Sequence, residues 1–248
     1  EFDWGFFVHH YDWFEEEYTG GVKKIVERTG NDRVITFRTS KGNLSSVQSL
    51  ASNGTWSPKK HFVETLADIE IMSSVVESTR FVPHYERITA VMDEMGWQGI
   101  GDTVIFTSPF GKLVHDYMGF EQLVYAIVDS PNAVQDFLAL QESKDMELVA
   151  LAAKSPERLV IISDHPDEYL VSPPYYEQYC IPFYQKAAGV LRNAGKIVST
   201  HLDGNFKGFF PLLGRTGFDY LDGCTPAPMF NFEIEELAEA LPDGMSAF

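Results

Sequence analysis

The sequence predicts an α/β protein built as a (β/α)8 barrel, and two observations lead to that fold class. Short apolar segments suited to buried strands, at residues 103–108, 158–163, 196–200 and 218–222, alternate with helical segments. Strands that are apolar on both faces and alternate with helices are typical of a parallel sheet. The nucleotide-binding motifs common in open, doubly wound sheets, GxGxxG after the first strand and GxxxxGKS or GxxxxGKT, do not occur. The closed barrel is therefore favoured over the open sheet.

The first 60 residues are predicted to contain a strand and a β-hairpin. The strand is WGFFVHH at residues 4–10, and the hairpin lies in RVITFRTSKGNLSSVQSL at residues 33–50. β-Branched residues flank the turn candidate at residues 41–44. We expect this hairpin to lie outside the main sheet as an N-terminal elaboration.

Start and stop signals place three helices between the later strands. Serine-proline pairs precede helices predicted at residues 131–154 and 173–193, and a third helix is predicted at residues 205–213. We predict one barrel domain over residues 1–248, with the β/α repeats beginning at residue 61. A barrel typically takes about 250 residues, and only five or six barrel strands are evident in this sequence. We therefore expect the barrel to be incomplete at one or both ends.

Composition narrows the possible partners. The 248 residues are 44% hydrophobic and carry a formal net charge of −17, so nucleic acids and anionic membranes are expected to be repelled. No apolar run is long enough to cross a membrane, and the N-terminus lacks the features of a secretory signal. Two cysteines are too few for a disulfide framework. We expect a soluble, cytoplasmic protein.

Polar side chains follow the predicted strands, at the points where those strands end. They are His10, Ser108, Asp164, His165, His201, Asp203, Asn205 and Cys224, with His115 in the helix after residues 103–108. In a barrel of parallel strands the loops after the strands form one mouth, where the chemistry of such folds is located. The sequence therefore predicts a polar site at this mouth.

His201 and Asp203 are the strongest site candidates. They alternate along an extended segment, so both can point into the mouth while Leu202 packs away. Together with Cys224 they would form a mixed nitrogen, oxygen and sulfur ligand set of the kind that zinc binds. Without a metal, the same groups suit general acid–base chemistry. The alternatives are structural: Cys224 as a buried apolar residue, and Asp164 and Asp203 as helix caps.

A longer segment resembles the uroporphyrinogen decarboxylase superfamily, which includes cobalamin-linked methyltransferases. It is SPPYYEQYCIPFYQKAAGVLRNAGKIVSTHLDGNFKGFFPLLGRTGFDYLDGCTPAPM at residues 172–229. Earlier segments at residues 37–44, 109–134 and 158–164 also resemble parts of the family, so the resemblance covers most of the chain. It implies a (β/α)8 barrel, in agreement with the pattern of strands and helices.

The resemblance favours the methyltransferase branch over the decarboxylases. The decarboxylases carry an arginine-rich N-terminal motif, which residues 1–30 lack. His115 stands where they have a catalytic tyrosine, and Asp164 where they have a serine. The thiol-methylating members hold zinc with an H-x-C pair and a later cysteine; His201 matches the histidine, but Asp203 replaces the first cysteine. Oxygen in place of sulfur lowers the selectivity of a site for zinc.

The resulting functional prediction is a methyltransferase that moves a methyl group between a small molecule or thiol and a corrinoid protein, with zinc as a candidate cofactor. In this interpretation His201, Asp203, Asp164 and His115 are catalytic, and His165, Asn205, Ser108 and His10 bind substrate. The predicted metal ligands are His201, Asp203 and Cys224. A metal-independent lyase acting on a carboxylated substrate and a non-catalytic binding barrel are the alternatives, and a homodimer is left open.

Overall fold

The structure is a computed structural model that describes residues 6–247. Its twelve described strands are β1 (Phe6–His10), β2 (Phe14–Tyr18), β3 (Lys23–Thr29), β4 (Asp32–Thr39), β5 (Gly42–Leu50), β6 (Trp56–Lys60), β7 (Thr79–Pro83), β8 (Gly99–Ile105), β9 (Leu159–Ile162), β10 (Ile197–His201), β11 (Tyr220–Asp222) and β12 (Ser246–Ala247). The first residues of the strand predicted at 4–10 lie outside the described residues.

The described part of the chain contains eight α-helices. They are α1 (Leu66–Ser78), α2 (Tyr85–Met95), α3 (Pro109–Lys112), α4 (Phe120–Asp129), α5 (Pro131–Ala152), α6 (Pro173–Tyr175), α7 (Ile181–Asn193) and α8 (Ile234–Ala240). Two π-helical turns, Leu113–Tyr117 and Tyr176–Cys180, and two 3₁₀ segments, Gly96–Gln98 and Lys207–Arg215, complete the helical elements of this part. Among these helices, none has both the length and the apolar character needed to cross a membrane.

Six strands form one parallel sheet in the order β1-β8-β9-β10-β11-β12. The order follows the chain, with helices between most neighbouring strands, as in a barrel-like α/β fold. The predicted α/β class and parallel sheet are thus confirmed, whereas closure into a complete barrel stays a prediction. Strand β12 lies in a segment to which the sequence assigned no strand, because only two residues pair there.

The predicted hairpin is confirmed as β4 and β5, which pair antiparallel up to Thr39 and Gly42. It belongs to a separate four-stranded sheet in the order β3-β4-β5-β6. The helix predicted at residues 131–154 is α5. The helix predicted at 205–213 is instead a 3₁₀ segment with Pro211 inside it, because proline lacks the amide hydrogen that a regular α-helix requires at that position.

The chain divides into two compact units. Of the described residues, the first unit comprises 6–15, 82–108 and 145–247, and the second comprises Glu16–Phe81 and Pro109–Lys144. The six-stranded sheet belongs to the first unit and the four-stranded sheet to the second. The predicted single barrel domain over residues 1–248 stays a prediction.

Helix α7 packs on β10 and thereby supports the strand that carries the central site residues. Its buried side chains recur at helical spacing, as Tyr184, Ala187, Ala188 and Leu191. Gly195 ends the helix in the left-handed conformation, with φ of 78°, which glycine adopts without strain. The chain therefore turns directly from α7 into β10.

Replacing Leu191 with alanine should lower the free energy of unfolding by about 2–5 kcal/mol, because the side chain is fully buried and its removal leaves a cavity. The neighbouring Val190 is 36% exposed, so Val190→Ala is a matched control expected to change stability by only about 0.5 kcal/mol. Urea unfolding of both variants measures the difference. Equal effects of the two substitutions would contradict the packing of α7 on the sheet.

Candidate metal centre

His201 and Asp222 are neighbours at the carboxyl ends of β10 and β11. The two parallel strands pair in a register that sets His201 opposite Asp222. His201 Nδ1 lies 2.5 Å from Asp222 Oδ2, and the histidine side chain is 25% exposed. The carboxylate thereby fixes one ring nitrogen of His201 and leaves Nε2 directed elsewhere.

Asp203 lies between two imidazoles. Its Oδ2 is 3.6 Å from His201 Nε2, and its Oδ1 is 2.8 Å from His165 Nδ1. The two rings meet edge to face, with centroids 4.7 Å apart. The predicted alternation holds, since Leu202 between His201 and Asp203 is buried. Two histidines and one carboxylate thus converge beyond the ends of β9 and β10.

His165 is held in a conformation that few residues other than glycine adopt, with φ of 46°. Left-handed backbone costs a residue with a side chain roughly 1–2 kcal/mol. A second contact fixes the ring, because Ser163 Oγ lies 2.8 Å from His165 Nε2. Such strain persists where surrounding contacts enforce it, and it concentrates at functional sites.

Gly223 leaves the space that the His201 ring occupies. A Cβ at this position would lie 2.5 Å from His201 Cε1, and the residue has φ of 75°. Both the close approach and the left-handed backbone favour glycine here. Gly223, directly after β11, therefore allows the His201 ring of the neighbouring strand to lie close to the backbone.

The charges of the cluster reinforce one another. Hydrogen bonds to Asp203 and then to Asp222 raise the pKa of His201 to about 9. Hydrogen bonds from His165 and then His201 hold the pKa of Asp203 well below its usual range. At neutral pH the metal-free cluster therefore contains a protonated His201 between carboxylates.

His165, His201 and Asp203 are also arranged in a way that suits the binding of a metal ion. One ligand atom from each of His165, His201 and Asp203 can be chosen so that all lie within 4.8 Å of one another. Tetrahedral zinc requires ligand atoms about 3.3 Å apart, given bonds of about 2.0–2.1 Å, so a modest contraction would close the site. The contact from Asp222 to the other nitrogen of His201 is the usual support for a metal-bound imidazole.

The same face of the sheet carries a second imidazole and carboxylate pair. His9 on β1 lies opposite Asp102 on β8, with Nδ1 3.1 Å from both carboxylate oxygens. Burial raises the pKa of Asp102 to about 6, and the negative charge of Asp222 contributes to that increase. The strand registers place both imidazole and carboxylate pairs on the same face of the sheet.

Two predicted residues form a buried cluster away from this face. Asp164 is 2% exposed; it accepts hydrogen bonds from the backbone N–H of Ser108, at 3.1 Å, and from the hydroxyl of Tyr184 on α7. Ser108 is fully buried. These contacts link the loop after β8 to the loop after β9 and to α7. They connect parts of the fold, and the catalytic role predicted for Asp164 and the substrate-binding role predicted for Ser108 stay predictions.

Other predicted residues lie outside the His165, His201 and Asp203 cluster. His10 is buried against Glu157, 3.4 Å away, on the opposite face of β1 from His9. Asn205 donates to Asp167 from its backbone and side-chain nitrogens, each at 3.0 Å. His115 lies in the π-helical turn Leu113–Tyr117 of the second unit. The functional roles assigned to these residues stay predictions.

Cys224 is buried, and burial raises the pKa of its thiol to about 12. It is not a member of the group of potential metal ligands found among the described residues, in which His165 joins His201 and Asp203. Its role as a ligand stays a prediction. The sequence placed His165 at the mouth as a substrate-binding residue, and the geometry makes it a potential metal ligand as well.

Sequence reasoning missed Asp222 and Asp102, and it selected His10 as the site residue although His9 was noted beside it. Asp222 ends a predicted strand, and parallel pairing with the strand that ends in His201 was the signal that could have identified it. His9 precedes His10 in the sequence, but the pattern did not indicate which of the two points inward. Asp102 precedes the segment predicted as a strand at 103–108, whereas β8 begins at Gly99.

Comparisons with known proteins support the fold. No protein-family model and no curated protein matches the chain. Among solved structures, a methyltransferase from Methanosarcina mazei is similar, with a TM-score of 0.50 and 13% identity. The match covers 78% of this chain and 66% of the methyltransferase, so this chain spans just under two thirds of that protein's length. At this identity the similarity shows a shared fold alone.

A dipeptide epimerase from Methylococcus capsulatus, complexed with a Mg ion, also matches. It covers 94% of this chain and 67% of its own, with 11% identity and a TM-score of 0.27. That score is too low to support an inference. The resemblance to the uroporphyrinogen decarboxylase superfamily stays a prediction.

In metal-free protein, the imidazole of His201 should titrate near pH 9 instead of near the ordinary value of about 6.5. The raised pKa means that the cluster stabilises the protonated form; this contribution is complete below about pH 6.5 and is lost as the pH rises through 9. Histidine NMR measures the midpoint, and Asp222→Asn should lower it. A midpoint near 6.5 in the unaltered protein would contradict the geometry.

Tyr184→Phe should lower the free energy of unfolding by about 1–3 kcal/mol, because it leaves a buried oxygen of Asp164 without its donor. Metal binding at His201 should be unchanged. Chemical denaturation and metal analysis measure the two properties. Loss of metal with unchanged stability would instead place Asp164 and Tyr184 in the functional site.

Proposed function

We propose that this chain is a methyltransferase that moves a methyl group between a small-molecule substrate or a thiol and a corrinoid protein. His165, His201 and Asp203 would hold zinc, in a closed (β/α)8 barrel of the uroporphyrinogen decarboxylase type. The observation that carries the proposal is the convergence of these three side chains beyond the ends of β9 and β10. The sequence resemblance and the fold shared with a methyltransferase support the reaction class.

The donor set suits a catalytic zinc site. Two histidines and one carboxylate hold zinc in well-known hydrolytic enzymes, with a fourth position open for substrate. The same set also suits ferrous iron, so the identity of the metal has to be measured. When bound, the metal would lower the pKa of a coordinated thiol or hydroxyl of the substrate.

The protein's own groups prepare this site. Asp222 holds His201 Nδ1, so that Nε2 is directed toward the position shared with Asp203. Ser163 and the backbone conformation at His165 orient the second ring. In metal-free protein the same nitrogen of His201 carries a proton, because the pKa of His201 is about 9. Proton and metal therefore compete for one atom.

The negative charge of the sheet face that carries His201 favours this proposal over a decarboxylase acting on a polycarboxylate. Asp102, Asp203 and Asp222 lie on this face, and the formal net charge of the chain is −17. Carboxylates of a substrate would be repelled there. A neutral substrate, or a thiol bound through the metal, meets no such barrier.

His201→Ala should remove both the bound metal and methyl transfer, since it deletes a ligand that two carboxylates orient. Elemental analysis measures the metal. Demethylation of methylcobalamin in the presence of 2-mercaptoethanol, followed by visible absorbance, measures the transfer. Asp222→Asn should weaken metal affinity by about 10–100-fold, as expected for the loss of an orienting partner.

The control is His84→Ala, which removes a histidine that contacts Glu15 and Glu86. It should leave metal content and methyl transfer unchanged. Equal metal content in His201→Ala and the unaltered protein would refute the metal site. Full metal occupancy without methyl transfer from methylcobalamin would retain the site and argue against the reaction.

A further inference from the structure

The pair formed by His9 and Asp102 has no role in the chemistry proposed above. Asp102 is fully buried, and His9 is its hydrogen-bond partner, with Nδ1 3.1 Å from both oxygens. The His9 side chain is 32% exposed. A buried carboxylate that supports a partly exposed imidazole is the arrangement that fixes one ring nitrogen and presents the other.

The pair lies on the same face of the sheet as His201. Side chains alternate along strands, and the registers from β1 through β8 and β9 to β10 place His9, Asp102 and His201 on one side of the sheet. Burial, and then the negative charges of Asp102 and Asp222, raise the pKa of Tyr11, just beyond β1. The pair and His201 therefore share one face of the sheet.

The surroundings of His9 are aromatic. The Tyr11 ring lies 5.8 Å from the His9 ring and stacks on Phe106, with centroids 6.3 Å apart. Tyr11 is 52% exposed and Phe106 is 42% exposed. Exposed stacked rings beside a hydrogen-bonding group offer a flat apolar wall to a ligand.

We infer that His9 Nε2 accepts a hydrogen bond from a hydroxyl group of an uncharged ligand whose apolar or aromatic body packs on Tyr11 and Phe106. The ionised carboxylate of Asp102 accepts the Nδ1–H of His9, which leaves a lone pair on Nε2. Among the described residues, no hydrogen-bond partner of Nε2 is found. The inference rests on the proposed function only in identifying this ligand with the methyltransferase substrate.

Anionic ligands are excluded by the same geometry. The lone pair of Nε2 cannot donate to a carboxylate, and Asp102 and Asp222 contribute negative charge on this face. A hydroxyl group satisfies Nε2 without adding charge. The pair therefore selects for a neutral ligand.

The test compares three one-ring probes, phenol, toluene and benzoate, by NMR titration of protein with ¹⁵N-labelled histidine. Phenol should bind about tenfold more tightly than toluene, because it forms one additional hydrogen bond to a polarised acceptor. Phenol should also shift the ¹⁵N resonance of His9 Nε2 and leave the resonances of His84 unchanged. Benzoate should not bind detectably. His9→Ala should remove the preference for phenol, and His84→Ala should retain it.

Asp102→Asn provides a second variant that retains the shape of the buried residue. The amide can donate to Nδ1, so the proton moves to Nε2, and the variant should gain affinity for benzoate. Failure of phenol to bind, equal affinity for phenol and toluene, or phenol binding to His9→Ala as tight as to the unaltered protein would overturn the inference. Zinc content, measured on the same samples, should be unchanged by His9→Ala, so failure of the metal site is detected separately.

Discussion

The hydrogen bond between His201 and Asp222 joins the fold of this protein to its candidate chemistry. It exists because β10 and β11 run parallel in a register that sets the two residues side by side. Helix α7 supports β10 from the opposite face, and Gly223 leaves room for the ring. Asp203, two residues later, lies with its Oδ2 3.6 Å from Nε2 of His201. The remaining ligand, His165, then approaches from the neighbouring strand end.

Carboxylates are in excess over cations on this face, and that excess determines what can bind. Each imidazole is held by a carboxylate, His201 by Asp222 and His9 by Asp102. In the metal-free state a proton on His201 balances part of this excess, because hydrogen bonds to Asp203 and then to Asp222 raise the pKa of His201 to about 9. A divalent cation would replace the proton on His201 at little electrostatic cost. The same excess disfavours anionic substrates.

Much of the architecture was predictable because it depends on patterns that burial imposes along the chain. The apolar segments gave the strands β8 to β11, and the rule that parallel strands end at one edge brought together His165, His201 and Asp203. The direction of individual side chains was harder to predict. Successive residues of a strand point to opposite faces of the sheet, and the sequence did not show which residues of β1 face the site. His9 and His10 are adjacent, yet one faces the site and the other is buried against Glu157.

The same limit applies to Asp164 and Ser108, whose predicted catalytic and substrate-binding roles stay predictions. Both stand at strand ends, but their contacts with each other and with Tyr184 are buried, which only the packing of α7 reveals. Asp222 was overlooked because its role depends on the hydrogen bond with His201, which lies on a different strand. The sequence analysis named Cys224 as a metal ligand because a thiolate suits zinc. In the structure it is His165 that lies close to His201 and Asp203.

The most direct test of the central claim, that His165, His201 and Asp203 form a metal centre, is X-ray absorption spectroscopy at the zinc edge on zinc-loaded protein. The account predicts a shell of nitrogen and oxygen atoms at about 2.0–2.2 Å, with the outer-shell scattering of two imidazoles and no sulfur. A sulfur contribution at about 2.3 Å would identify a cysteine ligand. It would contradict the assignment of His165 in its place.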